Sequence, residues 1–306
     1  MPLSLALSCR LARHGLLSGV VALMFVCGVT SRGADAGQEL GRIKIKPLQE
    51  VSGIAASRRH EDVLWMHNDG EAKHVFAVKT SGKVAAQVKI PEAVEDVEDM
   101  AIGPGPEEGV DYLYLGDIGD NDGNRREVRV IRFAEPSLDH ERGQPKVRDA
   151  EVIRLQYPDG PHDAEALLVD SATGDLIIVT KEDRRARAYV ARAASLSDQV
   201  SHVTLEESAS PDVGLVSAGD ISSDGHWVLL RNEEQGWLWE RAPGESLADA
   251  LQRPPQLVPA RGRTQGNNGE SIAFGPVGQS YYTVSEGKDE RIYEFRLPRA
   301  VTPASP

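Results

Sequence analysis

The chain has 306 residues, 40% of them hydrophobic, with 29 Gly and 18 Pro; that is enough for one large domain or two small ones, with a sizeable core and many turns. A formal charge of −13 makes nucleic acid and anionic membrane poor partners and suits divalent cations instead. The two cysteines, Cys9 and Cys27, both fall near the N-terminus, so the rest of the chain has no disulfide or thiol chemistry to offer.

In chain order, Arg10 and Arg13 precede the mostly apolar run LLSGVVALMFVCGV (16–29), and Ala34-Asp35-Ala36 supplies an A-x-A step. This is the pattern of a secretory signal peptide over 1–36, with an uncleaved N-terminal anchor as the alternative. Its removal takes away three Arg and one Asp, which moves the charge from −13 to about −15. The expectation is a secreted or periplasmic monomer with no membrane contact beyond that segment.

Residues 41–47, GRIKIKP, alternate apolar and basic side chains and stand ahead of any repeat. Five segments then share one plan, a small-residue strand, a turn and an apolar strand ending in polar residues: 51–69, 97–117, 163–183, 218–234 and 269–287. Repetition at this scale marks a solenoid or propeller. Two further strands follow most segments. HVFAVKT (74–80) and KVAAQVKI (83–90) flank a Ser81-Gly82 hairpin, and EVRVIRF (127–133) pairs with AEVIRLQY (150–157). RAYVARA (187–193) goes with SHVTLEE (201–207), and GWLWERA (236–242) with PQLVPA (255–260). Trp237 and Trp239, two apart, predict packing on one sheet face. A short helix is expected at ESLADALQ (245–252). The fifth repeat has only RIYEFRL (291–297) before a tail, 299–306, expected to be disordered. GRIKIKP fills the missing place and closes the ring. The prediction is a single all-β domain over 40–298, a five-bladed β-propeller of four-stranded blades, with six blades as runner-up.

Inner strands start on the face where their neighbours end. Strand starts therefore bring Glu98, Glu165 and Glu270 to equivalent places around one mouth, with Asp99, Asp163 and Asp220 close by. Strand ends bring His67-Asn68-Asp69, Asp117, Lys181 and Arg231 there. Like charges so placed repel until some protonate or a cation binds. Hard oxygen ligands from several blades suit Ca²⁺, or less well Mg²⁺ or Mn²⁺, so Glu98, Glu165, Glu270 and Asp117 are the expected metal ligands; acids capping strand starts are the alternative. A self-contained calcium loop in GDIGDNDGNRR (116–126) fails on spacing, because Asp122 falls where the loop needs Gly and Val128 where it needs Glu. Lys181 and Arg231 are assigned to an anionic substrate, with His67 and Asn68 beside them, whereas Arg125, Arg126, Arg184 and Arg185 are expected to face water. His162 and Asp163 are the candidate general bases. No zinc spacing and no G-x-S-x-G elbow occurs.

The repeats EDMAIGPGPEEGVDYLYLGDIGDN, DAEALLVDSATGDLIIVTKED and GESIAFGPVGQSYYTVSEG resemble those of an uncharacterised family of secreted bacterial β-propeller proteins. More distantly they are similar to metal-dependent propeller hydrolases: gluconolactonase-like lactonases, propeller phytases and five-bladed calcium-dependent nucleotidases. The resemblance implies a calcium-containing channel with carboxylates from several blades. Ser52 and Gly219 break that ring. Two functions are expected from these residues: a metal-dependent hydrolase of a small anionic ester, either a phosphate ester or a lactone, or a non-catalytic propeller binding a peptide, glycan or protein partner with at most a structural calcium ion.

Overall fold

A computed structural model describes residues 37–139, 145–147, 149–196, 202–261 and 268–298. The expected signal segment and C-terminal tail lie outside the described residues. Five sheets, antiparallel except for one short parallel pair in blade two, follow one another around a ring, and the protein is a five-bladed β-propeller. Strand β1 (Gln38–Arg42) belongs to the last blade. Blade one is β2 (Val51–Ala56), β3 (Val63–Asn68), β4 (His74–Lys79) and β5 (Val84–Lys89). Blade two is β6 (Val97–Pro104), β7 (Asp111–Asp117), β8 (Val128–Ala134) and β9 (Glu151–Gln156). Blade three is β10 (Ala164–Val169), β11 (Leu176–Thr180) and β12 (Ala188–Ala191). The next strand, β13 (Val203–Thr204), crosses to blade two, and β14 (Glu206–Ala209) completes blade three. Blade four is β15 (Ala218–Ile221), β16 (Trp227–Arg231), β17 (Gly236–Glu240) and β18 (Gln256–Val258). Blade five is β19 (Gly269–Phe274), β20 (Ser280–Ser285) and β21 (Arg291–Arg296), with β1 outermost. Helix α1 (Leu247–Leu251) is capped by Ser246, which accepts a hydrogen bond from the Asp249 N–H. Among the described residues no helix is long and apolar enough to cross a membrane.

Burial falls from the axis outward. The inner strands β2 and β10 are buried throughout, whereas the outer strands β5 and β9 alternate or are half-exposed. Inner strands approach one another at the axis, and the small residues of VSGIAA and AEALLV meet that crowding. The apolar core is divided into five clusters, each lying between neighbouring blades. Trp237 and Trp239 both enter the cluster between blades three and four.

Two expectations shift in register. The closing strand is Gln38–Arg42 rather than 41–47, and it pairs antiparallel with β21 from Gln38↔Glu294 to Arg42↔Arg291. After Arg42 the chain leaves the sheet, and Ile43 and Leu48 bury between blades five and one. At the departure Gly41 and Gly82 (φ +86°) pass so closely that a β-carbon on either would strike the opposite backbone. The segment SHVTLEE does not form one outer strand either. Val203 and Thr204 run parallel to Leu155 and Gln156 of blade two, and only Glu206–Ala209 pair with β12.

The inner edges of the five sheets face the axis and expose strand N–H groups that need acceptors. Asp99 meets this need: its Oδ1 accepts from the Met100 N–H (2.8 Å), and its Oδ2 from Leu167 (3.0 Å) and Gly219 (3.2 Å). One fully buried carboxylate thus ties β6 to β10 and β15. Asp220, like Asp99 the third residue of its strand, repeats the device, accepting from Ile221 and from Phe274 of blade five (both 2.8 Å).

Candidate functional site

Four of the five inner strands carry a β-bulge at their first residues: β2 between Val51 and Ile54, β6 between Val97 and Asp99, β10 between Ala164 and Ala166, and β19 between Gly269 and Ser271. A bulge leaves its extra residue unpaired and re-aims the side chain. In blades two, three and five the skipped residue is Glu98, Glu165 or Glu270. Blade one keeps the bulge but carries Ser52 and Gly53 there, and blade four, which has Gly219 in place of the acid, pairs it with Leu230 without a shift. Each of the three acids thus sits on a bulge, although a bulge does not require one.

The acids at this mouth act on one another. Burial first, then the charges of Glu165, Asp69, Asp96 and Asp163, push the Glu98 carboxyl up to about 10. Burial lifts Glu165 to about 8 against the pull of Lys181. Glu286 rises to about 7, through burial and the charges of Glu270 and Asp69. Burial likewise raises Asp96 and Glu270.

The acids divide into two groups. Asp69, Asp96 and Glu98, from blades one and two, each offer an oxygen within 4.8 Å of the others, a spacing that can hold a metal ion. Glu165 instead binds the Lys181 ammonium directly, with Glu270 and Asp163 adding to the field on that lysine. Asp69 and Asp96 were not among the expected ligands. A sequence signal for Asp96 exists in D-V-E (96–98), which matches D-A-E (163–165) at the next inner strand.

The turn after β7 holds this arrangement in place. Asp117 is fully buried and accepts from the Asp96 N–H (3.0 Å), from the Arg125 Nη2 (2.9 Å) and from Arg129. Its oxygens hold Asp96 and the two arginines, and it stands outside the group formed by Asp69, Asp96 and Glu98. Arg125 also donates to the Gly119 carbonyl (2.6 Å) and is a structural latch rather than a solvated surface arginine. Asp120 caps its own turn through the N–H groups of Asn124 and Arg125 (both 2.9 Å), while its N–H donates to Asp163 (2.9 Å). Gly119 lies directly against the acids: a β-carbon there would collide with Glu98 Oε1 and Asp96 Oδ2. Because its N–H also bonds the Asp96 carbonyl (3.2 Å), this glycine leaves open the space an ion between those oxygens requires.

Four other expected site residues are engaged elsewhere. Arg231 is fully buried, and its guanidinium donates to the carbonyls of Asn232 (2.9 Å), Ser271 (3.1 Å) and Arg261 (2.9 Å). Burial lowers it to about 10. It brackets blades four and five and does not present a cation to the mouth. His67 is buried, donates from Nδ1 to the Asn68 carbonyl (2.8 Å), and is lowered by burial to about 4; it is a neutral core residue. Asn68 donates to Pro47 and accepts from the Glu50 N–H (3.3 Å), which fixes the entry to blade one. His162 turns away from the acids. It stacks on Tyr189 (5.3 Å), meets Tyr157 edge-on (5.0 Å), and contacts Asp159 (2.9 Å) and Arg187 (3.0 Å). Of the two expected bases, only Asp163 faces the acids.

Two open clefts, of about 590 and 620 Å³, lie beside the turns between first and second strands, on the face away from the acids. The first is lined by Tyr114, Arg132 and the Ser171–Gly174 turn, the second by Trp227, Val277 and Leu297. Neither contains any expected site residue.

No family model matches the chain, and no curated protein matches it in sequence. Solved structures with a similar course include the hydrazine synthase of Kuenenia stuttgartiensis, at 9% identity and TM-score 0.43, over 81% of this chain and 83% of that one. A Dos1 propeller aligns at 12% identity and TM-score 0.39, over 81% and 60%. A nidogen/laminin complex aligns at 10% identity and TM-score 0.42, over 81% and 80%. Likeness at this level carries nothing about chemistry.

Proposed function

We propose that the protein is a divalent-metal-dependent hydrolase of a small anionic ester, such as a phosphate ester or lactone, acting at the acidic mouth. The observation supporting this most directly is the trio Asp69, Asp96 and Glu98, with ligand oxygens within 4.8 Å of one another and Gly119 in place of any side chain that would fill the gap. Hard oxygen donors from two blades suit Ca²⁺ first and Mg²⁺ or Mn²⁺ second. A bound ion supplies Lewis-acid polarisation and a more acidic water. Lys181, held by Glu165 and about one-third exposed, is the group that meets the anionic end of the ester. Glu165, raised to about 8, holds a proton near neutrality and can pass it to a leaving oxygen. Asp163, on the same side, is the candidate base.

Thermal melting of the protein with chelator against Ca²⁺ tests the metal. A rise in melting temperature with Ca²⁺ is expected, and Gly119→Ala is expected to remove most of that rise while leaving the chelated protein near wild type. No shift in the wild type sinks the proposal. Glu165→Gln and Lys181→Ala, assayed on phosphate-ester and lactone panels, are each expected to lower kcat/KM by 10²-fold or more, on the order expected for general acid–base groups.

The withdrawal of Arg231 supports a second reading, because it leaves the mouth with few cations. In that reading a non-catalytic propeller takes a cationic side chain of a peptide into the acids beside a structural ion. Calcium-dependent melting without turnover, together with binding of a Lys- or Arg-containing peptide, would favour it.

A further inference from the structure

Leu215 lies in the loop between blades three and four, on the mouth side, and its backbone sits in the left-handed region at φ +55°. The other described non-glycine residues with positive φ are Asp62, Asp149 and Asp289. Aspartate tolerates this conformation because its short side chain bonds locally, whereas for leucine it is a strained outlier. The side chain is also 45% exposed. Neither the backbone, which Gly or Asn would suit better, nor the core, which this side chain does not enter, accounts for a leucine here.

The conformation is imposed from both sides. The Leu215 N–H donates to the Glu182 carbonyl (2.7 Å), and the Ala186 N–H to Val213 (2.7 Å). Ser210 Oγ donates to the Ala186 carbonyl (3.1 Å), and Arg185 Nε to that of Ser210 (2.9 Å). A β-carbon on Gly214 would clash with the Asp183 backbone carbonyl at 2.5 Å. Glu182, which fixes Leu215, directly follows Lys181. Of the three exposed large apolar side chains among the described residues, Leu257 lies on the outer strand of blade four and Val277 on the opposite face; Leu215 is the one at the mouth. Strain held in place by surrounding bonds points to use at a site.

We infer that Leu215 is a specificity-determining contact for the apolar portion of the ligand, and that the ester hydrolysed here is amphiphilic, with an alkyl or aryl group reaching from the Lys181 side of the mouth. This rests on the anionic-ester reading and narrows it. Calorimetric titration of the full chain in Ca²⁺ with alkyl phosphates, methyl to hexyl, provides the test. In the wild type, affinity is expected to rise with each added methylene, by up to about fourfold per group when fully buried. In Leu215→Asn, which accepts the left-handed backbone, that dependence should flatten while methyl phosphate binds as before. The melting temperature should stay level or rise.

Equal chain-length dependence in both proteins overturns the assignment, and so does a lowered melting temperature in the variant, since leucine would then serve the fold. If no alkyl phosphate binds, the amphiphilic anion falls together with the reading it rests on. Chain-length-dependent binding that Leu215→Asn abolishes, without turnover of any ester, keeps the contact and removes only the hydrolase.

Discussion

Replacing Asp99 by Ala is expected to cause the largest loss of stability of any single substitution in the inner strands. The carboxylate accepts three N–H groups from three different blades, at 2.8, 3.0 and 3.2 Å. Each buried donor left without an acceptor costs roughly 1–3 kcal/mol, so a loss of about 3 kcal/mol or more is expected from a total of about 5–15 kcal/mol. Burial in turn pushes the Asp99 carboxyl well above its usual range, so part of the loss is returned when the acid is removed. Asp99→Asn keeps one acceptor oxygen and should fall between wild type and Asp99→Ala. Urea melts decide the matter. A change below about 1 kcal/mol for Asp99→Ala, the size of an ordinary substitution, would show that the axis does not depend on this brace.

The second large effect is an unusual dependence on pH. Glu98, Glu165 and Glu286 have folded values of about 10, 8 and 7, all above the ordinary 4.5. Asp220 is raised by burial from 3.8 to about 7. A carboxyl raised on folding gives its full stability below the unfolded value and loses it as pH climbs to the folded value. Each such group removes at most about 1.4 kcal/mol per pH unit inside its window. His67 has the other sign. Its lowered value of about 4 against 6.5 unfolded costs stability as pH falls from 6.5 towards 4. In chelator the protein should therefore melt at lower temperature at pH 8.5 than at pH 6.5, where Glu98 and Glu165 carry the difference. Ca²⁺ should shrink that gap, because an ion between Asp69, Asp96 and Glu98 favours their charged forms. A melting temperature flat from pH 6.5 to 8.5 in chelator would contradict the crowding of acids at the mouth.

Repetition made the fold readable, since each blade restates the same pair of buried strands. The acids at Glu98, Glu165 and Glu270 were readable for the same reason, as the extra residue at each strand start falls at one place in the repeat. What each polar side chain does next was not readable, because it depends on partners from other blades. Lys181 and Arg231 both end second strands. Arg231 lies over the backbone at Gly269, where a β-carbon would meet its guanidinium, and binds the carbonyls of Asn232, Arg261 and, in blade five, Ser271; Lys181 finds Glu165 instead. His162 directly precedes Asp163, yet Tyr157 and Tyr189 draw it outward. Asp117 is engaged by Arg125 of its own turn and by Arg129 of β8, partners that its place in the repeat does not reveal. The stretch GDIGDNDGNRR is thus neither a calcium loop nor an idle hairpin: Gly119 leaves the space and Asp117 sets Asp96 beside it.

The crossing of SHVTLEE between blades was illegible for a different reason. An alternating edge segment does not specify which sheet edge it will join, and here two neighbouring edges share it.

The outermost strand of blade five is β1, which precedes all four other blades in sequence. Among the described strands β1 is made first, yet its partner β21 is made last. Strand β1 must wait unpaired until β21 has been made, and this pairing spans the greatest sequence separation among the described strands. Such a contact carries a large loop-closure entropy and favours slow folding. A chain truncated before Arg291 keeps the contact of β19 with β2 but leaves β1 and β20 as open sheet edges, which is expected to raise its protease sensitivity.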